Sequence, residues 1–313
     1  MSAALPTEWV VLLPVVLLAV TYVVVAADAV AAGRAAGRPV PWAVAVATPG
    51  REAVRLLIGQ RRRGVAGDEL LRGVGGAVLP IAALLAAAVL PLGSRPVADL
   101  SIGVVWFNAM EVLAWAAVWL VGWGANSTLS LIGGYRFVAQ GLAYELPHMF
   151  ALITAAVGAQ SLRVVDVVDA QQGLWFVVIM PVAFVAFLLS AAAMAFWGPF
   201  DSPVGRDVAG GAAGELAGVD RLVFTAGRWL LLVASAAMAV PLFLGGGNGP
   251  WLPAWAWVLV KTLAVLGALV ALRHRVPTIR MERWTEFSWV VLVPATIAQA
   301  LVVTLIVVGE GGI

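Results

Sequence analysis

Apolar residues along this chain fall into long runs, and the stretches between them collect the arginines. A hydrocarbon core of about 30 Å needs about 20 residues of helix. Eight runs reach that length: about 8–30, 74–93, 102–122, 138–160, 175–196, 223–244, 252–272 and 289–309. The pattern predicts an all-α integral membrane protein, a single polytopic membrane domain over 1–313 with about eight transmembrane helices. No small-residue cleavage site follows the first run, which therefore reads as a retained helix and not a signal peptide. The longest connection, 31–73, contains "TPGREAVRLLIGQRRR". There Val54, Leu57 and Ile58 share one face, flanked by Arg51, Arg55 and Arg62, which predicts an amphipathic helix lying in the membrane interface. No tandem or inverted repeat is visible by inspection.

Charge orients the spans. Sixteen arginines lie in or beside the connections after spans one, three, five and seven, against only Arg95 and Arg163 for the others. By the positive-inside rule the basic connections, the amphipathic helix among them, are cytoplasmic and both termini are outside. Composition narrows the chemistry. With 62% hydrophobic residues, 12% charged and a mean hydropathy of +0.99, the chain has too little polar surface for a soluble domain of 313 residues. The absence of cysteine excludes disulfides, thiolate metal sites and cysteine-bound iron–sulfur clusters, and His148 and His274 are the only imidazoles. The chain is expected to hold no metal and no redox cofactor of its own, and no catalytic residue is assigned. Arginines beside apolar spans suit lipid headgroups, not nucleic acid.

Few ionisable groups lie at depth, which makes each one a candidate. In the fourth span Gln140, Tyr144 and His148 follow at i, i+4 and i+8, so they share a helix face, with Glu145 to one side and Pro147 beside them. Such an arc faces protein or water. Glu145 is the leading proton-path candidate, while Gln140 and Tyr144 are equally well read as hydrogen-bonded packing groups. Glu111 in the third span and Lys261 near the middle of the seventh must be paired, hydrated or neutralised. They form either a static pair or part of a proton relay, and the partner of Lys261 is either Glu111 or Glu145. The connection 197–222 is Gly-rich and carries Asp201, Asp207, Glu215 and Asp220. Composition alone reads as a solvated loop, but Pro199 and Pro203 bracket Asp201 and stiffen the backbone there.

These segments, in this order, resemble membrane subunit 1 (the H subunit) of respiratory complex I, a family that also includes membrane subunits of energy-converting hydrogenases. "GWGANSTLSLIGGYRFVAQGLAYEL" is similar to the family's Gly-Trp-Ala-Ser-Asn-Ser, Leu-Leu-Gly-Ala-Leu-Arg, Gln and Ser-Tyr-Glu elements, at Gly122, Trp123, Asn126, Ser127, Gly133, Arg136, Gln140, Tyr144 and Glu145. "PFDSP" resembles Pro-Phe-Asp-Leu-Pro and "GELAG" resembles Glu-Tyr-Ser-Gly. "LFLGG", "WVLVKTL" and "RHRVPTIRMERW" match the family's later motifs. The resemblance implies a bacterial inner-membrane subunit of an NADH:quinone oxidoreductase that anchors the peripheral arm, frames a quinone chamber and couples it to proton translocation. Its implied partners are other membrane subunits, peripheral iron–sulfur and quinone-site subunits, and lipids; quinone is the implied substrate of the complex. By position, Arg136 and Glu145 join the proton path, Asp201 and Glu215 the chamber loop, Lys261 the membrane axis, and Arg280 with Glu282 the last cytoplasmic loop. Asp207, in the same Gly-rich loop, is a further chamber or docking candidate.

Several acidic positions of the family are replaced. Met194, Trp197, Val204 and Arg206 stand where it carries Glu, Arg and Glu-x-Glu, and Ala27 and Asp28 replace the start of Glu-Arg-Lys. Glu111 stands where it is usually uncharged. The lost carboxylates keep a second expectation open, a scaffold subunit of a hydrogenase- or antiporter-linked complex without quinone chemistry. A stand-alone transporter is disfavoured by the lack of repeats and paired broken helices.

Overall fold

The computed structural model describes residues 8–62, 64, 66–93, 95–205 and 211–309. Asp207 and Arg206 lie outside the described residues. The described chain is helical: α1 (Glu8–Ala35), α2 (Trp42–Leu57), α3 (Glu69–Ala87), α4 (Gly103–Gly124), α5 (Thr128–Ala159), α6 (Val164–Asp169), α7 (Phe176–Ile179), α8 (Pro181–Met194), α9 (Gly218–Phe243), α10 (Ala254–Arg275), α11 (Met281–Phe287) and α12 (Val293–Gly309). Seven of these helical stretches are long and apolar enough to cross a membrane, the last running from Met281 to Gly309 through a π-helical turn at Ser288–Leu292. The eighth, Pro181–Met194, is shorter. The protein is a multi-pass membrane protein.

Two boundaries differ from the hydrophobic runs. The fifth run is broken: α7 ends at Ile179, the chain leaves helical geometry at Met180, and Pro181 starts α8. Proline disfavours the α conformation for the residue before it, which accounts for the break. Gln171, fully buried, braces the region by donating to the carbonyls of Val167 and Pro241 and accepting from the amides of Phe176 and Gly245. The helix of the fourth run, α5, begins at Thr128 and not near 138, so at about 1.5 Å per residue its 32 residues reach about 48 Å. Arg136 is therefore a helical residue, and Glu145 lies near the middle of α5.

The described residues of the connections 36–62, 66–68, 125–127, 195–205, 211–217 and 276–280 gather at one end of the bundle, called here the basic face. At its centre α9 packs on α3, α10, α8 and α2, and α4 lies between α3 and α5. Small residues permit these approaches, as is usual where helices meet in lipid: a Cβ on Gly227 would stand 2.7 Å from the Pro80 ring, and one on Gly75 2.6 Å from the Ala117 carbonyl. On the basic face α2 turns Ala45 and Leu56 inward and leaves Trp42, Val46, Val54 and Leu57 exposed, with Ile58 just beyond its end. That apolar stripe suits an interfacial helix.

Candidate functional site

Midway along the bundle α4, α5 and α9 enclose a polar cluster. Glu111 and His148 are 2% and 1% exposed, and His148 Nε2 lies 2.9 Å from Glu111 Oε2. Ser235 Oγ of α9 is 2.7 Å from Glu111 Oε1. On the same turns Asn108 Nδ2 donates to Glu145 Oε1 at 3.2 Å. Tyr144 Oη accepts from Trp115 Nε1 at 2.8 Å, so a second polar contact joins α4 to α5. The predicted arc of Gln140, Tyr144 and His148 is buried throughout, with Glu145 half-buried at its side.

Gln140 connects this arc to the basic face. Its Nε2 donates to the carbonyls of Ala193 at 2.7 Å and Phe200 at 3.2 Å, pinning the end of α8 and the start of the loop that carries Asp201. That loop crosses α5 where Gly133 leaves room; a Cβ there would stand 2.1 Å from the Ala212 nitrogen. Asp201 opens onto a cavity of about 440 Å³ with Arg221, Phe224, Thr225, Arg228 and Thr278 in its walls. Thr278 Oγ1 approaches Asp201 Oδ1 at 3.5 Å. Arg228 donates to the carbonyls of Ala195 and Phe196, and its guanidinium lies 5.7 Å from the centre of the Trp197 ring. Behind this ring Asp28 bonds Arg273 and His274, each at 2.8 Å, tying α1 to the end of α10, and Arg273 stacks 4.4 Å from Trp197.

Lys261 meets neither carboxylate. It is the eighth residue of α10, toward the end opposite the basic face, and its Nζ donates to the carbonyls of Leu244, Gly246 and Asn248 at 2.7, 2.9 and 2.8 Å. Trp175 lies 4.1 Å away, ring centre to Nζ. The Glu–Lys pair, one of the two readings of these groups, is absent because the lysine caps the C-terminal end of α9, where unpaired carbonyls and the helix dipole attract a cation. On that same face Arg163 bonds Asp99 and Asp166, and these carboxylates, Asp99 above all, hold its guanidinium pKa above the usual arginine range.

The family described as NADH dehydrogenase matches residues 7–304. The chain is 34% identical over 265 residues, 81% of its length and 80% of the relative's, to a protein of Geobacter metallireducens named as an NADH-quinone oxidoreductase H subunit, the first of that name there. It is 31% identical over 261 residues, 83% and 82% of the two chains, to a protein of Rhodopseudomonas palustris named as the second NADH-quinone oxidoreductase H subunit there. The NADH-quinone oxidoreductase H subunit of Syntrophotalea carbinolica is 35% identical over 237 residues, 72% of each chain. The chain belongs to the NADH dehydrogenase family.

Placed in that family, the predicted site residues separate into groups. Glu111 and Glu145 share the mid-membrane cluster, whereas Asp201 lies in the cavity at the basic face. Arg136 is half-buried two turns into α5. Glu215 is not in the Asp201 cavity; it lies near Ser127 at 3.5 Å and Arg62 at 3.6 Å, toward the surface. Arg280 and Glu282 are exposed where α11 begins. Sequence reasoning did not single out Asn108, Ser235, Arg228 or the buried Arg72, which faces Asp220 at 3.6 Å. Arg228 was detectable as a charge inside the sixth apolar run; Ser235 had no such mark.

Proposed function

We infer that this chain is the H-type membrane subunit of a multisubunit NADH-quinone oxidoreductase, with its basic face toward the cytoplasm in a bacterial cell membrane. Membership of the family carries the reading, and the relatives' names favour it over a hydrogenase-linked scaffold or a stand-alone transporter. In this assignment the basic face receives the peripheral iron–sulfur and quinone-site subunits, and other membrane subunits flank the bundle. The chain itself supplies no redox cofactor.

The Asp201 cavity is the part that this subunit lends to the quinone chamber. Its walls combine the Phe224 ring and Val204 with the hydroxyls of Thr225 and Thr278 and the cations Arg221 and Arg228. Quinone reduction takes up two electrons and two protons; hydroxyl and carboxyl groups can hydrogen-bond the carbonyls, and guanidinium groups stabilise negative charge that develops on oxygen. From there the proton path runs through Gln140 and the polar face of α5 to Glu145, its carboxylate at depth. The test is Asp201→Asn in the assembled complex. Quinone-dependent turnover should fall while electron transfer from NADH to artificial acceptors is retained. Equal loss of both would assign the loop to docking the peripheral arm, and no loss of either would remove Asp201 from the chamber.

A further inference from the structure

Seven buried side-chain polar atoms among the described residues lack a hydrogen-bond partner, and four of them belong to one cluster: Asn108 Oδ1, Glu111 Oε2 and both ring nitrogens of His148. His148 Nε2 is close enough to Glu111 Oε2, at 2.9 Å, but the pair lacks the alignment of a good hydrogen bond. The ring is also stacked on Phe187, 4.9 Å between centres, so it is held in place rather than free to swing. An unpaired buried polar atom costs about 1–3 kcal/mol. Four such atoms in one cluster leave donor and acceptor capacity unused in the membrane interior.

Ser235 adds a geometric constraint. Its Oγ lies 2.7 Å from Glu111 Oε1 and 2.8 Å from the Leu231 carbonyl. A hydroxyl carries one hydrogen. If Glu111 is ionised, both neighbours are acceptors and only one contact is satisfied. If Glu111 carries a proton on Oε1, the carboxyl donates to Ser235, Ser235 donates to Leu231, and both contacts are hydrogen bonds.

We propose that Glu111 and His148 share one exchangeable proton and form a proton-storing site between Glu145 on α5 and Ser235 on α9. The proposal rests on the proton-coupling reading above. In one state Glu111 carries the proton and the imidazole is neutral; in the other His148 carries it, facing the carboxylate, and exchange between the two passes through the form of Glu111 protonated on Oε2, the oxygen 2.9 Å from Nε2. The two states have the same net charge, so the shift avoids the large cost of creating an uncompensated ion in lipid. Net transfer adds a proton at one end of the site and releases one at the other. Tyr144 and Glu145 on α5 face it, while Arg228, two turns from Ser235 on α9, is turned to the carbonyls of Ala195 and Phe196. The stretch 73–87 of α3, and all of α8 and α12, carry no charged residue. Lys261 of α10 is occupied by three carbonyls. The site supplies an acid–base pair to a subunit in which Met194, Val204 and Arg206 replace carboxylates expected from the family resemblance.

The test uses the assembled complex in membrane vesicles, with proton uptake per NADH oxidised measured across pH. Glu111→Gln and His148→Gln should each lower proton transport about tenfold or more and change its pH profile. The double variant should be no worse than either single one, and exchanging the pair (Glu111→His with His148→Glu) should restore transport. Normal transport in both single variants, or losses that multiply in the double variant, overturns the proposal. Should Glu111→Gln not assemble, Ser235→Ala decides: a changed pH profile is expected, and an unchanged one overturns the shared proton. Glu145→Gln separates the two levels. Impaired coupling there with normal Glu111 and His148 variants removes this site alone, whereas normal coupling in Glu145→Gln removes the proton-path reading beneath it.

Discussion

Lys261 Nζ stands 2.7 Å from the carbonyl oxygen of Leu244, and Gly246 and Asn248 complete its coordination. A cation satisfied by three backbone carbonyls is a cap. Lys261→Met should leave those carbonyls unpaired at about 1–3 kcal/mol each before relaxation. Less complex should assemble and it should inactivate at lower temperature, while the complex that forms keeps its proton-to-electron ratio. Normal assembly with lost coupling would return Lys261 to the proton path.

Gln140→Leu should act at a distance. It removes the donor that holds the Ala193 and Phe200 carbonyls and leaves Asp201, one residue further on, less firmly placed. The expected result is a raised KM for quinone in the assembled complex with unchanged electron transfer to artificial acceptors. An unchanged KM would show that the loop holds its shape without this contact.

Gly133→Ala tests the crossing of the loop over α5. The new Cβ would meet the Ala212 backbone nitrogen, which cannot swing aside as a side chain would. Overpacking of this kind costs about 1–3 kcal/mol, so the 196–222 loop should shift and become more sensitive to protease, with lower quinone turnover. Unaltered cleavage would contradict the packing described.

Orientation has a direct check. Reporter fusions within 31–73 and 273–288 should report the cytoplasm, and a fusion at Gly312 the opposite side. A cytoplasmic report from Gly312 would reverse the assignment of both faces.

Hydropathy was sufficient for the long helices because a lipid-facing helix must be apolar along its whole length; α1, α10 and α12 illustrate this. It could not reveal the break at Met180, since α7 and α8 are both apolar and the run passes through uninterrupted. The early start of α5 was hidden because Thr128 to Phe137 includes serine, two glycines and Arg136, which read as a connection. The polar face of α5 followed from 3.6-residue periodicity, but the partners of that face depend on how α4 and α9 are placed against it. Nothing in the spacing of Glu111, His148 and Ser235 brings them together. The partners of Lys261 were hidden for a related reason: side-chain charges are visible in a sequence, whereas the carbonyls at the end of a helix carry no residue label.

The central claim is that this chain works as a membrane subunit of an NADH-quinone oxidoreductase, and isolation of the tagged chain from native membranes in mild detergent tests it most directly. Peripheral iron–sulfur subunits and other membrane subunits should co-elute in fixed proportion, with NADH-driven quinone reduction in the same fraction. Recovery of the chain alone, or in fixed proportion with a hydrogenase large subunit and without quinone reduction, would contradict the account.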